Sequence, residues 1–292
     1  MSIIKSNTLC VEINEVGSTL ESFCDLNGNT ELLWQGSEDS WTGKDVTIFP
    51  FVARLKDEYY TVNGVKYTMP LHGLCVDHKF EIDSISQSRV EHKFVWNDES
   101  LKHYPYKFDL RVIHEVVGDK YIKTMRVTNV GDETMYFMLG GHPAIALTSK
   151  GDCDTSDNYI QFSKQMCPKN YYLNEVGHFI THYGDIDGFD RLYCDKALMK
   201  KYKTLILADE KFEDIQVVRG DGIKLAFDLN CPPILAFWSH PDKGEYICVE
   251  PWWGIPDFVE PKREIKEKER INSLDAGETF EYSFAIEIQR GN

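Results

Sequence analysis

The sequence lacks most of the signatures from which a function is usually read. Its cysteines stand singly, at Cys10, Cys24, Cys75, Cys153, Cys167, Cys194, Cys231 and Cys248. Without a Cys-x-x-Cys pair, neither a zinc ribbon nor a redox motif is encoded. Gly-x-Gly-x-x-Gly, Walker and Gly-x-Ser-x-Gly segments are also missing, which removes the dinucleotide, P-loop and serine-hydrolase readings. No run approaches the roughly 18 apolar residues of a membrane-spanning helix. The opening MSIIKSNTLC has no apolar core of the kind a signal peptide needs, so the expected location is cytoplasmic, with reduced thiols. Positive charge is scarce: 32 Lys and Arg face 47 Asp and Glu, a formal net charge of −15. Acidic residues interleave with most of the basic ones, so neither a nucleic-acid backbone nor an anionic membrane surface is an expected partner. A neutral small molecule fits better.

Helical spacing is scarce as well, with one short polar candidate from Lys200 to Asp214. Strand spacing is abundant. In TFEYSFAIEI, Phe280, Tyr282, Phe284, Ile286 and Ile288 share one face, and Thr279, Glu281, Ser283 and Glu287 the other, the pattern of a half-buried strand. FDLRVIHEV repeats it, with Phe108, Leu110 and Val112 set against Asp109, Arg111 and Glu115. Asn63-Gly64 lies between two β-rich arms and suits a type I′ hairpin, which needs positive φ at both central residues. Gly28, Gly118, Gly131 and Gly222 mark further candidate hairpins. Apolar residues make up 42% of the chain and aromatic residues 13%, enough for a large core. With no Pro/Gly/Ser linker and no internal repeat, the chain reads as one all-β domain over residues 1–292, a large antiparallel two-sheet sandwich. The mixed-charge run Val259 to Arg270 reads as a solvated loop or short helical turn.

Four polar residues stand in apolar or glycine-rich settings at strand ends: Arg54 in FPFVARLKD, His72 in YTMPLHGL, His142 in LGGHPAIAL and Glu250 in YICVEPWWGI. Burying an ionised carboxylate such as Glu250 is expensive unless it is paired, raised in pKa or lining a pocket. Imidazole titrates near neutrality, which suits a proton donor. Gly140 and Gly141 leave room for a bulky ring against the backbone before His142. Each residue alone is more often structural than catalytic; together they form a pattern. His72 with His78, and His178 with His182, lack the spacing and carboxylate of a β-scaffold metal site, so no metal is expected.

These segments resemble the aldose 1-epimerase (galactose mutarotase) superfamily, and within it the LacX-like bacterial branch. The order of elements agrees along nearly the whole chain: LLWQG, then FPFVARLKDEYYTVNGVKYTMPLHGL, GGHPA, VEPWWGIPDF and a closing LDAGETFEYSFAI. The resemblance implies a galactose mutarotase-like supersandwich and a reaction without a cofactor. A glutamate takes the proton of the anomeric hydroxyl, a histidine protonates the ring oxygen, and the opened sugar recloses as the other anomer. Carried onto this sequence, Glu250 is the base and His142 the acid, while His72 and Arg54 hold the sugar. The family also uses an aspartate between the acid and base segments. Asp195 in LYCDKALMK is the nearest match, with Asp185, Asp187 and Asp190 as rivals. Trp34 and the Trp252-Trp253 pair offer flat faces for pyranose C–H groups, with core filling as the alternative.

The stretch from Lys150 to Tyr159, KGDCDTSDNY, departs from the family pattern, so the rim that selects substrate is unfamiliar. The leading expectation is an isomerase, a mutarotase of a free aldohexose. A non-catalytic carbohydrate-binding or sensing protein of the same fold is an alternative, although binding alone needs no matched acid and base. A hexose-phosphate mutarotase is another, and would need more Lys or Arg near the pocket than Arg54 alone. Monomer and homodimer both remain open.

Overall fold

Period-2 burial organises the chain into two large antiparallel sheets packed face to face. The computed structural model describes residues 1–147 and 157–290, which leaves most of the Lys150 to Tyr159 stretch outside the described residues. The larger sheet has nine strands. At its centre, strand Thr279–Gln289 buries Tyr282, Phe284, Ile286 and Ile288 and turns Glu281, Ser283 and Glu287 the other way. It pairs with Lys120–Asn129 on one side and Lys224–Asp228 on the other. The second sheet is built around strand Tyr246–Trp253, which is buried along almost its whole length. Ile234–Trp238 pairs with one edge of that strand. Two short strands, Leu139–Gly141 and Ala144–Ala146, pair with the other.

Aromatic side chains join the two sheets. Phe162 of the nine-stranded sheet meets Phe237 of the other, with ring centroids 6.2 Å apart, and Tyr282 meets Trp253 at 5.8 Å. A Cβ added to Gly141 would lie 2.7 Å from the Phe284 ring, and one on Gly140 would lie 2.7 Å from the Trp252 indole. The two glycines do leave room for rings, and those rings belong to the core and the adjacent strand. Each buried Phe contributes about 1.5–3 kcal/mol of transfer free energy, so this seam supplies much of the adhesion between the sheets.

The expected Asn63-Gly64 hairpin forms between Tyr59–Val62 and Val65–Thr68, with φ of 50° and 78° at the two turn residues. Gly28, Gly118 and Gly222 each lie between paired antiparallel strands. Gly131 does not, because the strands on either side of it pair elsewhere. Lys120–Asn129 joins the large sheet, and Met135–Phe137 pairs with Asn272–Leu274. The helix expected from Lys200 to Asp214 is also displaced. It spans Lys196–Tyr202, and the following Leu205–Ala208 is a fully buried strand. LILA pairs with a neighbour on each side, and this tertiary pairing overrides the polar, helix-like flanks. The run from Val259 to Arg270 contains a single turn of 3₁₀ helix at Ile265–Glu267, and its Lys268 is buried against Asp257.

A buried polar chain lies inside the sandwich. The Ser18 hydroxyl sits 2.9 Å from both His92 Nδ1 and His114 Nε2, and His114 Nδ1 is 2.7 Å from the Tyr121 hydroxyl. Nearby, Lys123 Nζ lies 2.7 Å from Asp45 Oδ2, with both side chains fully excluded from solvent. Asp45 Oδ2 also accepts the Leu20 N–H.

Candidate active site

Strand pairing brings His142 and Glu250 together. Gly140 is the register partner of Trp252 and Ala144 that of Cys248. His142, midway between Gly140 and Ala144 at the break between the two short strands, therefore stands opposite Glu250, midway between Trp252 and Cys248. His142 Nε2 lies 3.0 Å from Glu250 Oε2. The contact is not aligned as a hydrogen bond, and both Glu250 Oε2 and His142 Nδ1 lack a hydrogen-bond partner among the described residues. Alternation along the strand sets Tyr246, Cys248, Glu250 and Trp252 on one face. On the neighbouring strand, Ala236 is opposite Glu250 and Trp238 opposite Cys248.

Burial dominates the electrostatics of the pair. Glu250 is 1% exposed. Desolvation pushes its carboxyl well above the usual range, and the adjacent Trp252 indole, which completes no hydrogen bond, offsets this only in part. The same loss of water lowers His142 to about 4, with a smaller lowering from the buried Lys123 ammonium and an opposing effect of its own backbone carbonyl. Both shifts favour the neutral forms.

The pair sits in a cavity of about 620 Å³ that Arg54, His72, Trp41, Trp238 and Trp252 also line. His72 adopts φ 60°; its N–H donates to the Ala53 carbonyl, and its Nδ1 accepts the Ala53 N–H. This clasp holds its ring edge-on to His142, with centroids 5.4 Å apart. Desolvation carries His72 well below the ordinary imidazole range, reinforced by His142 and Arg54. Arg54 pairs with Glu58 at 2.9 Å. Its loop is anchored by Asp257, whose Oδ2 accepts the Lys56 N–H and whose backbone carbonyl accepts the Ile180 N–H. Asp77, His178 and Lys203 contribute further polar groups to the wall.

Arg54, His72, His142, Glu250 and Trp252, all singled out in the sequence, thus line one cavity, whereas Asp195, Trp34 and Trp253 do not. Asp195 caps the helix Lys196–Tyr202, its carboxylate accepting the Leu198 N–H at 2.8 Å. Trp34 packs on Tyr246 and donates its indole N–H to the Trp41 carbonyl. Trp253 of the tryptophan pair turns away, toward Phe280 and Tyr282. Sequence reasoning missed Trp41 and Trp238, whose rings lie 5.3 Å and 6.0 Å from the His142 ring. Trp238 carried a signal, since alternation in ILAFW places it on the face of Ala236. Trp41 stands in the aperiodic GSEDSWTGKD and carried none. One set of metal-capable donors also occurs here: ligand atoms of His142, Cys248 and Glu250 all lie within 4.8 Å of one another.

Comparison with known proteins places the chain in a family. A family profile described as aldose 1-epimerase matches residues 1–287, and the chain belongs to that family. The chromosomal protein LacX of Lactococcus lactis subsp. lactis is 25% identical over 303 residues, covering 98% of each chain. A galactose mutarotase-like protein from Lactobacillus casei superposes with a TM-score of 0.92 at 25% identity, over 99% of this chain and 100% of the other. A galactose mutarotase related enzyme from Lactobacillus acidophilus gives a TM-score of 0.93 at 24% identity, over 99% and 97% of the two chains. The fold is that of the galactose mutarotase-like proteins. Membership of the family supports a sugar epimerase or mutarotase-like function.

Proposed function

We propose that this member of the aldose 1-epimerase family interconverts the α and β anomers of a free aldohexose by acid/base ring opening, with no cofactor. The observation that carries the reading is the 3.0 Å contact of His142 with Glu250 inside a cavity of about 620 Å³. Mutarotation removes a proton from the anomeric hydroxyl and delivers one to the ring oxygen, two atoms bonded to the same carbon. A carboxylate and an imidazole that share one proton can serve both. Burial favours the neutral pair, whereas sugar hydroxyls that hydrogen-bond the charged forms shift the proton onto His142. Glu250 then accepts the hydroxyl proton and His142 donates to the ring oxygen. The open-chain sugar rotates about C1–C2, and the reverse transfers close the other anomer. Each positioned acid or base of this kind contributes roughly 10²–10⁴-fold.

His72 and Arg54, on the wall of the same cavity, hold the sugar hydroxyls. Trp41, Trp238 and Trp252 offer the flat apolar surfaces on which pyranose C–H groups rest. The test is polarimetry on freshly dissolved α-glucose and α-galactose. Acceleration by the wild type and its loss in Glu250→Gln support the proposal; a wild type that binds sugar but turns nothing over leaves the carbohydrate-binding reading in its place. A phosphorylated aldose is the second reading, and Lys203 favours it. Beside Arg54 it is an additional cation on the cavity wall, its ammonium held by the Lys200 carbonyl at 3.2 Å. Including hexose phosphates in the same screen separates the two.

A further inference from the structure

Cys248 has no part in ring opening, yet it completes a donor set with the two residues that do. It lies two positions before Glu250 on the same strand face and opposite Ala144, two residues beyond His142. One ligand atom from each of His142, Cys248 and Glu250 fits within a 4.8 Å span, and all three residues are buried. The imidazole and carboxylate atoms are already 3.0 Å apart. That is close to the separation of roughly 3.3 Å between nitrogen and oxygen ligands on a tetrahedral zinc ion with bonds of about 2.0 Å. With a sulfur bond of about 2.3 Å, a tetrahedral site sets the thiolate roughly 3.5 Å from the other donors, so from a span of up to 4.8 Å the thiol has to close inward. Glu250 Oε2 has no hydrogen-bond partner among the described residues, and its 3.0 Å contact with His142 Nε2 is not aligned as a hydrogen bond, so neither atom is committed to the other. With nitrogen, oxygen and sulfur as donors, the set suits a borderline-soft divalent ion rather than magnesium or calcium. His142 and Glu250 line the cavity although Cys248 does not, so a fourth ligand, water or a sugar hydroxyl, would approach from the cavity side.

We propose that His142, Cys248 and Glu250 form a binding site for a zinc-class divalent cation, and that its occupancy blocks the acid/base pair. Binding replaces the Cys248 S–H bond by a sulfur–metal bond and releases that proton to water. The proton shared by Glu250 and His142 leaves as well, because both lone pairs become committed to the ion. No electron changes hands. The binding claim stands on the donor geometry alone; the claim of inhibition rests on the mutarotase reading above, so the two are measured separately.

The experiment uses the full chain, freed of metal, and titrates Zn²⁺ against a chromophoric chelator. Co²⁺ is added in parallel to look for the near-ultraviolet charge-transfer band of a thiolate–cobalt bond. One ion per chain is expected, with a thiolate band in the wild type, and affinity should fall at least about tenfold in Cys248→Ala, since even outer partners of a metal are worth that much. Unchanged Zn²⁺ affinity in Cys248→Ala, or a Co²⁺ complex without the thiolate band, overturns the site. Because the cobalt spectrum is read on the unmodified protein, a variant that folds poorly does not obscure the answer. Polarimetry with and without Zn²⁺ then reads the second claim: chelator-reversible loss of acceleration in the wild type supports it. Zn²⁺ bound through Cys248 with undiminished acceleration refutes the block while leaving the site intact.

Discussion

Glu250 and His142 are cross-strand neighbours, opposed by the register that pairs Gly140 with Trp252 and Ala144 with Cys248. Two residues distant in the chain thereby meet at 3.0 Å through backbone pairing, with no loop setting their separation. A rigid sheet holds reacting groups more tightly than a loop does.

The first expectation concerns the base. Glu250→Gln keeps the shape of the side chain but cannot accept the anomeric proton, so acceleration of mutarotation should fall by roughly 10²–10⁴-fold. The thermal midpoint should hold or rise, because the neutral amide removes a buried ionisable group. Polarimetry and a melting curve on the same preparation read both; full activity in the variant would take Glu250 out of the mechanism.

For the acid, His142→Asn should lose turnover by a similar factor while sugar affinity, measured calorimetrically, changes little. A side chain that merely filled space would show the reverse, a lowered melting temperature with turnover per folded molecule preserved.

Stability should decline as the solution is acidified through the buried histidines. Desolvation lowers His92 to about 4 and carries His114 well below its ordinary value. In the unfolded chain both titrate near 6.5. Below that pH the unfolded state binds more protons than the folded state, so the contribution present above about 6.5 is lost progressively as pH falls toward 4. Urea denaturation at pH 7 and pH 5 measures it. His92→Gln should flatten the dependence, and an unaltered slope would assign it to other groups.

Removing one member of the Lys123–Asp45 pair should be costly, since both side chains are fully buried at 2.7 Å. Lys123→Met leaves an uncompensated carboxylate and is expected to destabilise the protein by about 3–5 kcal/mol, whereas pairing it with Asp45→Asn should recover much of the loss. Denaturation midpoints of the two single variants and the double variant close the cycle.

Asp195 offers a contrast between a cap and a ligand. Its carboxylate accepts the Leu198 N–H, so Asp195→Ala should cost about 1 kcal/mol and leave the KM for sugar unchanged. A raised KM with unaltered stability would return Asp195 to the binding site.

How much of this could be read beforehand follows from the range of each signal. Alternation is local, so the long strands and the Asn63-Gly64 hairpin were legible in the sequence. Arg54, His72, His142 and Glu250 stood out because each interrupts an apolar or glycine-rich run, and the cavity gathers all four. Register is not local: nothing near His142 says that it faces Glu250 and not Val249. The displaced helix has the same cause, since Leu205–Ala208 is a strand by virtue of the partners on both its edges. Trp41 lines the cavity in place of Trp34, which was expected there, because a loop decides which indole faces the cavity and which lies behind it.

The pair proposed to react is set by strand pairing, as are Trp238 and Trp252, whereas Arg54 and Lys203 reach the cavity from outside the sheet, Arg54 on a segment tied down by Asp257 and Lys203 at the end of a short helix. On the proposed mechanism, exchanging the Arg54 and Lys203 segments would retarget the protein to a differently substituted sugar with the acid/base pair unchanged, whereas a one-residue slip of the central strand would part His142 from Glu250 and abolish turnover of every sugar.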